Sequence, residues 1–165
     1  MLNIFQTGGA GLDGVSAAAE QLTGKALGAR SSPGLKRVVR QALVWGCLVA
    51  IALAIYLELD AIVAWTTSSP DVRALASQYG IWVTMSVLAA AVAYQMDGIF
   101  VGATWSRSMR NIMMVSATVF AVASCLLSQL FGNHGLWASF VLFLGLRSVL
   151  YFFRLRSLLK TAVNC

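Results

Sequence analysis

Four long stretches of the chain carry almost no charge. Residues 41–57 hold no Asp, Glu, Lys, Arg or His, and the apolar character continues past Glu58 and Asp60 to Trp65. Residues 74–96 and 111–133 are likewise uncharged, and 135–153 is interrupted only by Arg147. The hydrocarbon core of a bilayer is about 30 Å thick and takes about 20 apolar residues in a helix. These runs are too long for strands and lack the period-two alternation of an outer-membrane barrel. The pattern predicts transmembrane helices over 38–65, 73–104, 109–131 and 134–156.

The opening segment follows a different rule. Asp13, Glu20 and Lys25 break its hydropathy. Wound as a helix, however, it gathers Gln6, Asp13, Ser16, Glu20 and Thr23 into a sector of about 100°. The remainder is mostly Gly, Ala, Leu and Val. A helix lying on the membrane surface usually has a basic polar face and bulky anchors opposite. Here the stripe is acidic and the rest is small, which suits close packing in a bundle. Residues 3–29 are therefore read as a fifth span that lines a cavity. With no basic n-region and no short apolar core before a cleavage site, the segment is not a signal peptide.

Composition supports that class: 59% of residues are hydrophobic and 11% are charged, against about a quarter charged in soluble domains. A net charge of +6 could point to nucleic acid, but the bases gather in short gaps between apolar runs. Lys25, Arg30, Lys36, Arg37 and Arg40 fill the first gap, and Glu58, Asp60, Asp71 and Arg73 the second. Arg107 and Arg110 fill the third, His134 stands in the fourth, and Arg154, Arg156 and Lys160 follow the last span. Basic gaps face the cytoplasm, so five spans run from an external N-terminus to a cytoplasmic C-terminus in the cell (inner) membrane. Partners follow from this: a lipid bilayer and no nucleic acid. Turn residues fit the same count at Ser31-Ser32-Pro33-Gly34, Ser68-Ser69-Pro70-Asp71 and Gly132-Asn133-His134-Gly135.

Asp97, in YQMDGIF (94–100), is the unusual residue. It lies ten residues before Arg107, about 15 Å along a helix, or near half the hydrocarbon thickness. A charge at that depth faces protein or a wet cavity, where it titrates, pairs or binds a cation. Ala93, Ala90 and Ser86 on the same face leave room for a neighbour or for water. Two readings stand: Asp97 exchanges a proton or ion, or it pairs structurally with a base such as Arg147. Asp13 and Glu20 share one face of the first span; they either line a conduit, or Glu20 rests among headgroups beside Lys25. Arg147, seven residues before Arg154, snorkels to the interface or answers one of the acids.

Other chemistry falls away. Cys47, Cys125 and Cys165 form no CxxC pair. His134 is the sole histidine and cannot make a metal site alone. Gly8-Gly9-Ala10-Gly11 lacks the Lys-Ser/Thr of a P-loop. Neither an enzyme, nor a cofactor, nor an ATP-driven pump is expected. Trp45, Trp65, Trp82, Trp105 and Trp137 fall mostly near span ends, as interfacial belts place them.

LDGVSAAAEQLTGKALGAR (12–30), followed by the basic patch and QALVWG (41–46), resembles the first helix pair retained from the C-terminal half of multidrug and toxic compound extrusion (MATE) transporters. YQMDGIFVGATWSRSMRN (94–111) and FGNHGLWASFVLFLGLRS (131–148) resemble the DinF-like branch. The resemblance runs in order over nearly the whole chain.

It implies a twelve-helix fold of two six-helix lobes around a cavity that opens to each side in turn. Organic, often cationic, small molecules are exported in exchange for protons or sodium ions. The five spans match helices eight to twelve, so 1–165 is read as a partial C-terminal lobe with the N-terminal lobe absent or supplied by another chain. The DinF-like branch ties proton coupling to an aspartate on the first helix of that missing lobe. In other branches an acid on the tenth helix, the one that carries Asp97, helps bind the coupling ion. Asp97, Asp13, Glu20, Arg147, Tyr94 and Gln95 are the ion-coupling or cavity candidates. The alternative is a truncated, non-transporting membrane polypeptide or one part of a split transporter.

Overall fold

The computed structural model describes residues 2–57 and 70–163, with side chains over 11–55 and 79–158. The described residues form five helices: α1 (Leu2–Gly28), α2 (Ser32–Leu57), α3 (Pro70–Gly102), α4 (Ser106–Phe131) and α5 (Asn133–Val163). The all-α expectation is met. Ser32–Ile55, Tyr79–Gly102, Ser106–Phe131 and Asn133–Leu158 are long and apolar enough to cross a membrane. α1 forms as a helix but is not among them; Asp13, Glu20 and Lys25 hold its hydropathy down. The second gap, with Glu58, Asp60, Trp65, Ser68 and Ser69, lies outside the described residues, as does Cys165. Pro70 is the first residue of α3, a position where its missing N–H costs nothing.

Two junctions are built alike. α1 ends with Arg30 at φ 49°, its amide donating to Leu27 O and that of Ser31 to Ala26 O. α3 ends with Thr104 at φ 58°, with amides of Thr104 and Trp105 donating to Val101 O and Phe100 O. Both are left-handed helix stops of the Schellman type, made without the glycine that usually occupies the turn. Ser31 also opens α2: its Oγ accepts from the amide of Gly34 at 3.2 Å, a side-chain N-cap. The expected four-residue turn at 132–135 is shorter. Gly132 alone, at φ 58°, separates α4 from α5. Gly135 makes this possible, because a Cβ there would run into the backbone of Leu127.

α3 is the hub, packed by α1, α2 and α5, while α4 leans mainly on α5. α1 runs parallel to α3: Ser16 Oγ donates to Tyr94 O at 2.8 Å, and Gly98 and Gly102 meet the backbones of Ser16 and Glu20. A Cβ on either glycine would collide there. α5 also runs parallel to α3, with Trp82 Nε1 donating to His134 Nδ1 at one end and Asp97 meeting Arg147 further along. The C-terminal ends of α1, α3 and α5 therefore share one end of the bundle with the starts of α2 and α4. Lys25, Arg30, Lys36, Arg37, Arg40, Arg107, Arg110, Arg154 and Arg156 are all at that end and exposed. The core concentrates nearby, from Ala19, Leu35, Val39, Met96, Ile99, Phe100, Ile112, Tyr151 and Leu155, so all five helices contribute. A smaller cluster of Leu12, Ala50, Val87 and Ala91 joins only α1, α2 and α3.

Candidate functional site

The α3 break at 103–105 changes the depth inferred for Asp97. The ten residues to Arg107 are not one helix. Asp97 lies five residues before Gly102, the end of α3, or about 7.5 Å from it, nearer the basic end than the middle of the span. Its side chain faces α5. Arg147 Nη2 donates to Asp97 Oδ1 at 2.6 Å and to Oδ2 at 2.5 Å, and the Tyr151 hydroxyl donates to Oδ1 at 2.5 Å. One guanidinium nitrogen straddles the carboxylate instead of the two-pronged fork that arginine often makes. Arg147 Nε is consequently buried without a hydrogen-bond partner.

Side-chain exposure is 10% for Arg147 and 23% for Asp97. The pair is thus mostly withdrawn from its surroundings while the carboxylate keeps one open edge. An ionised carboxylate offers roughly four acceptor positions, of which three are taken. Each charge needs the other, since an unpaired charge inside a bundle is expensive.

Packing orients the donors. Arg147 and Tyr151 are four apart on α5 and so share a face. Phe100 meets the Tyr151 ring edge-on at 4.7 Å, and Trp105 meets Phe100 at 5.5 Å. The guanidinium carbon lies 6.0 Å from the Phe143 ring centroid and 5.7 Å from that of Tyr151, within cation–π range. The face running back from Asp97 is closed by packing: Ser86, Ala90 and Ala93 are buried, and Ser148 Oγ bonds Ala89 O at 3.3 Å. Room for a neighbour, not for water, is what those small residues supply.

The other candidates divide. Tyr94 is half-buried, and its backbone carbonyl accepts from Ser16 Oγ, three residues beyond Asp13 on α1. Gln95 turns the other way. It is buried against Gly46 of α2, and its Nε2 donates weakly to Leu12 O at 3.5 Å. Its Oε1 has no partner. Asp13 and Glu20 are exposed on α1, while Ser16 and Thr23 of the same polar stripe turn inward.

Tyr151 and Phe100 were not among the residues singled out from the sequence. The signal for Tyr151 was its place one turn after Arg147; for Phe100 there was only its general apolarity. No group of three or more His, Cys, Asp or Glu able to hold a metal occurs among the described residues.

Against known proteins, the family model described as MatE matches residues 1–127. That match covers α1, α2, α3 and most of α4. No curated protein matches the chain, and no solved structure does.

Proposed function

The chain belongs to the MatE family, multi-pass membrane transporters for the efflux of drugs and toxic compounds, and from that premise we propose that it forms part of the C-terminal lobe of a DinF-like antiporter. In this reading α1 to α5 take the places of helices eight to twelve. Organic substrates leave in exchange for protons or sodium ions, and a complete cavity needs a first lobe opposite these helices, because alternating access depends on two pseudo-symmetric lobes. The C-terminus faces the cytoplasm and the membrane is the cell (inner) membrane.

The family match carries the transport reading, and the Asp97 cluster supports a coupling role. Arg147 acts as a resident cation. A proton or sodium ion that reaches the open edge of Asp97 competes with it. Protonation cancels the negative charge, releases Arg147 and lets α5 shift against α3. Tyr151 keeps the carboxylate oriented while the cations exchange. Asp13 and Tyr94 form the approach to this point, and Glu20 lies further along the same exposed side of α1. Gln95 holds α1, α2 and α3 together.

The test is Asp97→Asn in the assembled twelve-helix transporter. Gradient-driven efflux is lost while membrane insertion persists; unchanged efflux removes Asp97 from coupling. Drug resistance from the 165-residue chain alone, in cells lacking other efflux pumps, would overturn the requirement for a first lobe.

A further inference from the structure

We propose that Trp82, Tyr79 and His134 form an acid-released latch between α3 and α5, at the end of the bundle opposite the basic one. Trp82 Nε1 donates to His134 Nδ1 at 3.0 Å. An indole nitrogen only donates, so Nδ1 is the bare nitrogen of a neutral ring whose proton sits on Nε2. A proton taken from water at Nδ1 turns that acceptor into a donor and sets two N–H groups against each other. The closed latch holds one proton fewer than the open one, so lowering the pH favours opening. Imidazole changes charge between pH 5 and 8. All three side chains are half-buried, which leaves the ring within reach of water.

α5 packs on α3 and α4, and the groups those helices bring leave the switching to the Trp82 bond. On α3, the Tyr79 ring meets the imidazole at 4.8 Å between centroids, tilted by 35°. An aromatic ring also attracts a cation, so Tyr79 keeps His134 in place when Trp82 lets go. Arg73 and Asp71 stand six and eight residues before Tyr79, and Asp97 fifteen after Trp82. On α4 the nearest titratable group is Cys125, and on α5 it is Arg147, thirteen residues on. Two further links tie α3 to α5 deeper in the span, Ser148 Oγ to Ala89 O and Arg147 to Asp97. Acid therefore parts the starts of the two helices while their deeper halves stay joined. With a cytoplasmic C-terminus this end faces outside, the acidic side of an inward proton gradient; the latch itself does not rest on that orientation.

His134 is the sole histidine of the chain, so side-chain nitrogen NMR of histidine-labelled protein in micelles observes this ring alone. At pH 8 Nδ1 is bare and Nε2 carries the proton in essentially all molecules; at pH 5 both carry one. A proton on Nδ1 at pH 8 overturns the proposal. Denaturant unfolding of the same protein measures the latch. Trp82→Phe raises the unfolding constant about fivefold at pH 8 and leaves it unchanged at pH 5. His134→Gln supplies an acceptor that does not titrate, and beside it Trp82→Phe has the same effect at both pH values. Each effect is a difference between two variants at one pH, so titration of Asp71 or Asp97 cancels. An effect of Trp82→Phe that is equal at pH 8 and pH 5 in the unmodified background, or that still varies with pH beside His134→Gln, overturns the proposal. Should a variant fail to fold, the nitrogen spectra of the unmodified chain decide.

Discussion

Removing either member of the Asp97–Arg147 pair should destabilise the bundle far more than removing both. Arg147→Met leaves the carboxylate with Tyr151 as its remaining donor, and stranding a buried charge in this way costs about 3–5 kcal/mol. Asp97 is 23% exposed, so relief through its open edge puts the value near the lower limit. Asp97→Asn strands a guanidinium that is only 10% exposed, at a similar cost. The double variant carries a neutral amide and a thioether of comparable volume, and replacing a buried pair by neutral side chains is often close to neutral. The coupling energy should therefore reach at least about 2 kcal/mol. Tyr151→Phe provides the internal comparison. A hydrogen bond to a charged group contributes about 1.5–3 kcal/mol in soluble proteins, but side-chain bonds inside membrane bundles average about 0.6 kcal/mol, so about 1 kcal/mol is expected. Denaturant unfolding of the purified chain in mixed micelles, followed by far-UV circular dichroism, measures all four variants. If the single costs simply add in the double variant, the two charges do not support each other and the derivation fails.

Three further outcomes follow from the packing. Thr104→Gly removes a β-branched residue from a left-handed position and should stabilise the chain by about 1 kcal/mol; a melting temperature that does not rise would show the position to be unstrained. Gly98→Val should loosen α1 from α3 at a cost of about 1–3 kcal/mol, visible as faster proteolysis within 11–28, and wild-type protection would contradict the close approach described at Ser16. Trp82→Phe keeps the ring but deletes the donor to His134, which should cost about 1 kcal/mol in the same unfolding assay; no change would mean that the bond adds nothing.

Hydropathy located four of the helices because a spanning segment must be apolar over its whole length. It passed over α1, which packs through the backbones of Ser16 and Glu20 against glycines of α3, an effect carried by shape. The stop at 103–105 was hidden for a related reason. Thr104 takes a backbone conformation normally left to glycine, so the stretch from Asp97 to Arg107 looked continuous and the depth of Asp97 came out too large. Arg147 was a legible candidate partner, yet spacing along one helix says nothing of register against another. That register comes from Phe100 and Tyr151, whose rings meet edge-on across α3 and α5. Gln95 and Asp97, two positions apart, turn to opposite sides of α3, and only a placed backbone tells which side meets α2 and which meets α5.

The single-residue link at Gly132 has a consequence for biogenesis. With α4 resting mainly on α5 and joined to it without slack, the last two helices form a leaf that must close as a unit. The first three already own a nucleus at Leu12, Ala50, Val87 and Ala91, so they can settle before translation ends. Arrival of α5 then supplies the latch, and a ribosome paused before residue 147 would hold an acid still waiting for its counter-ion.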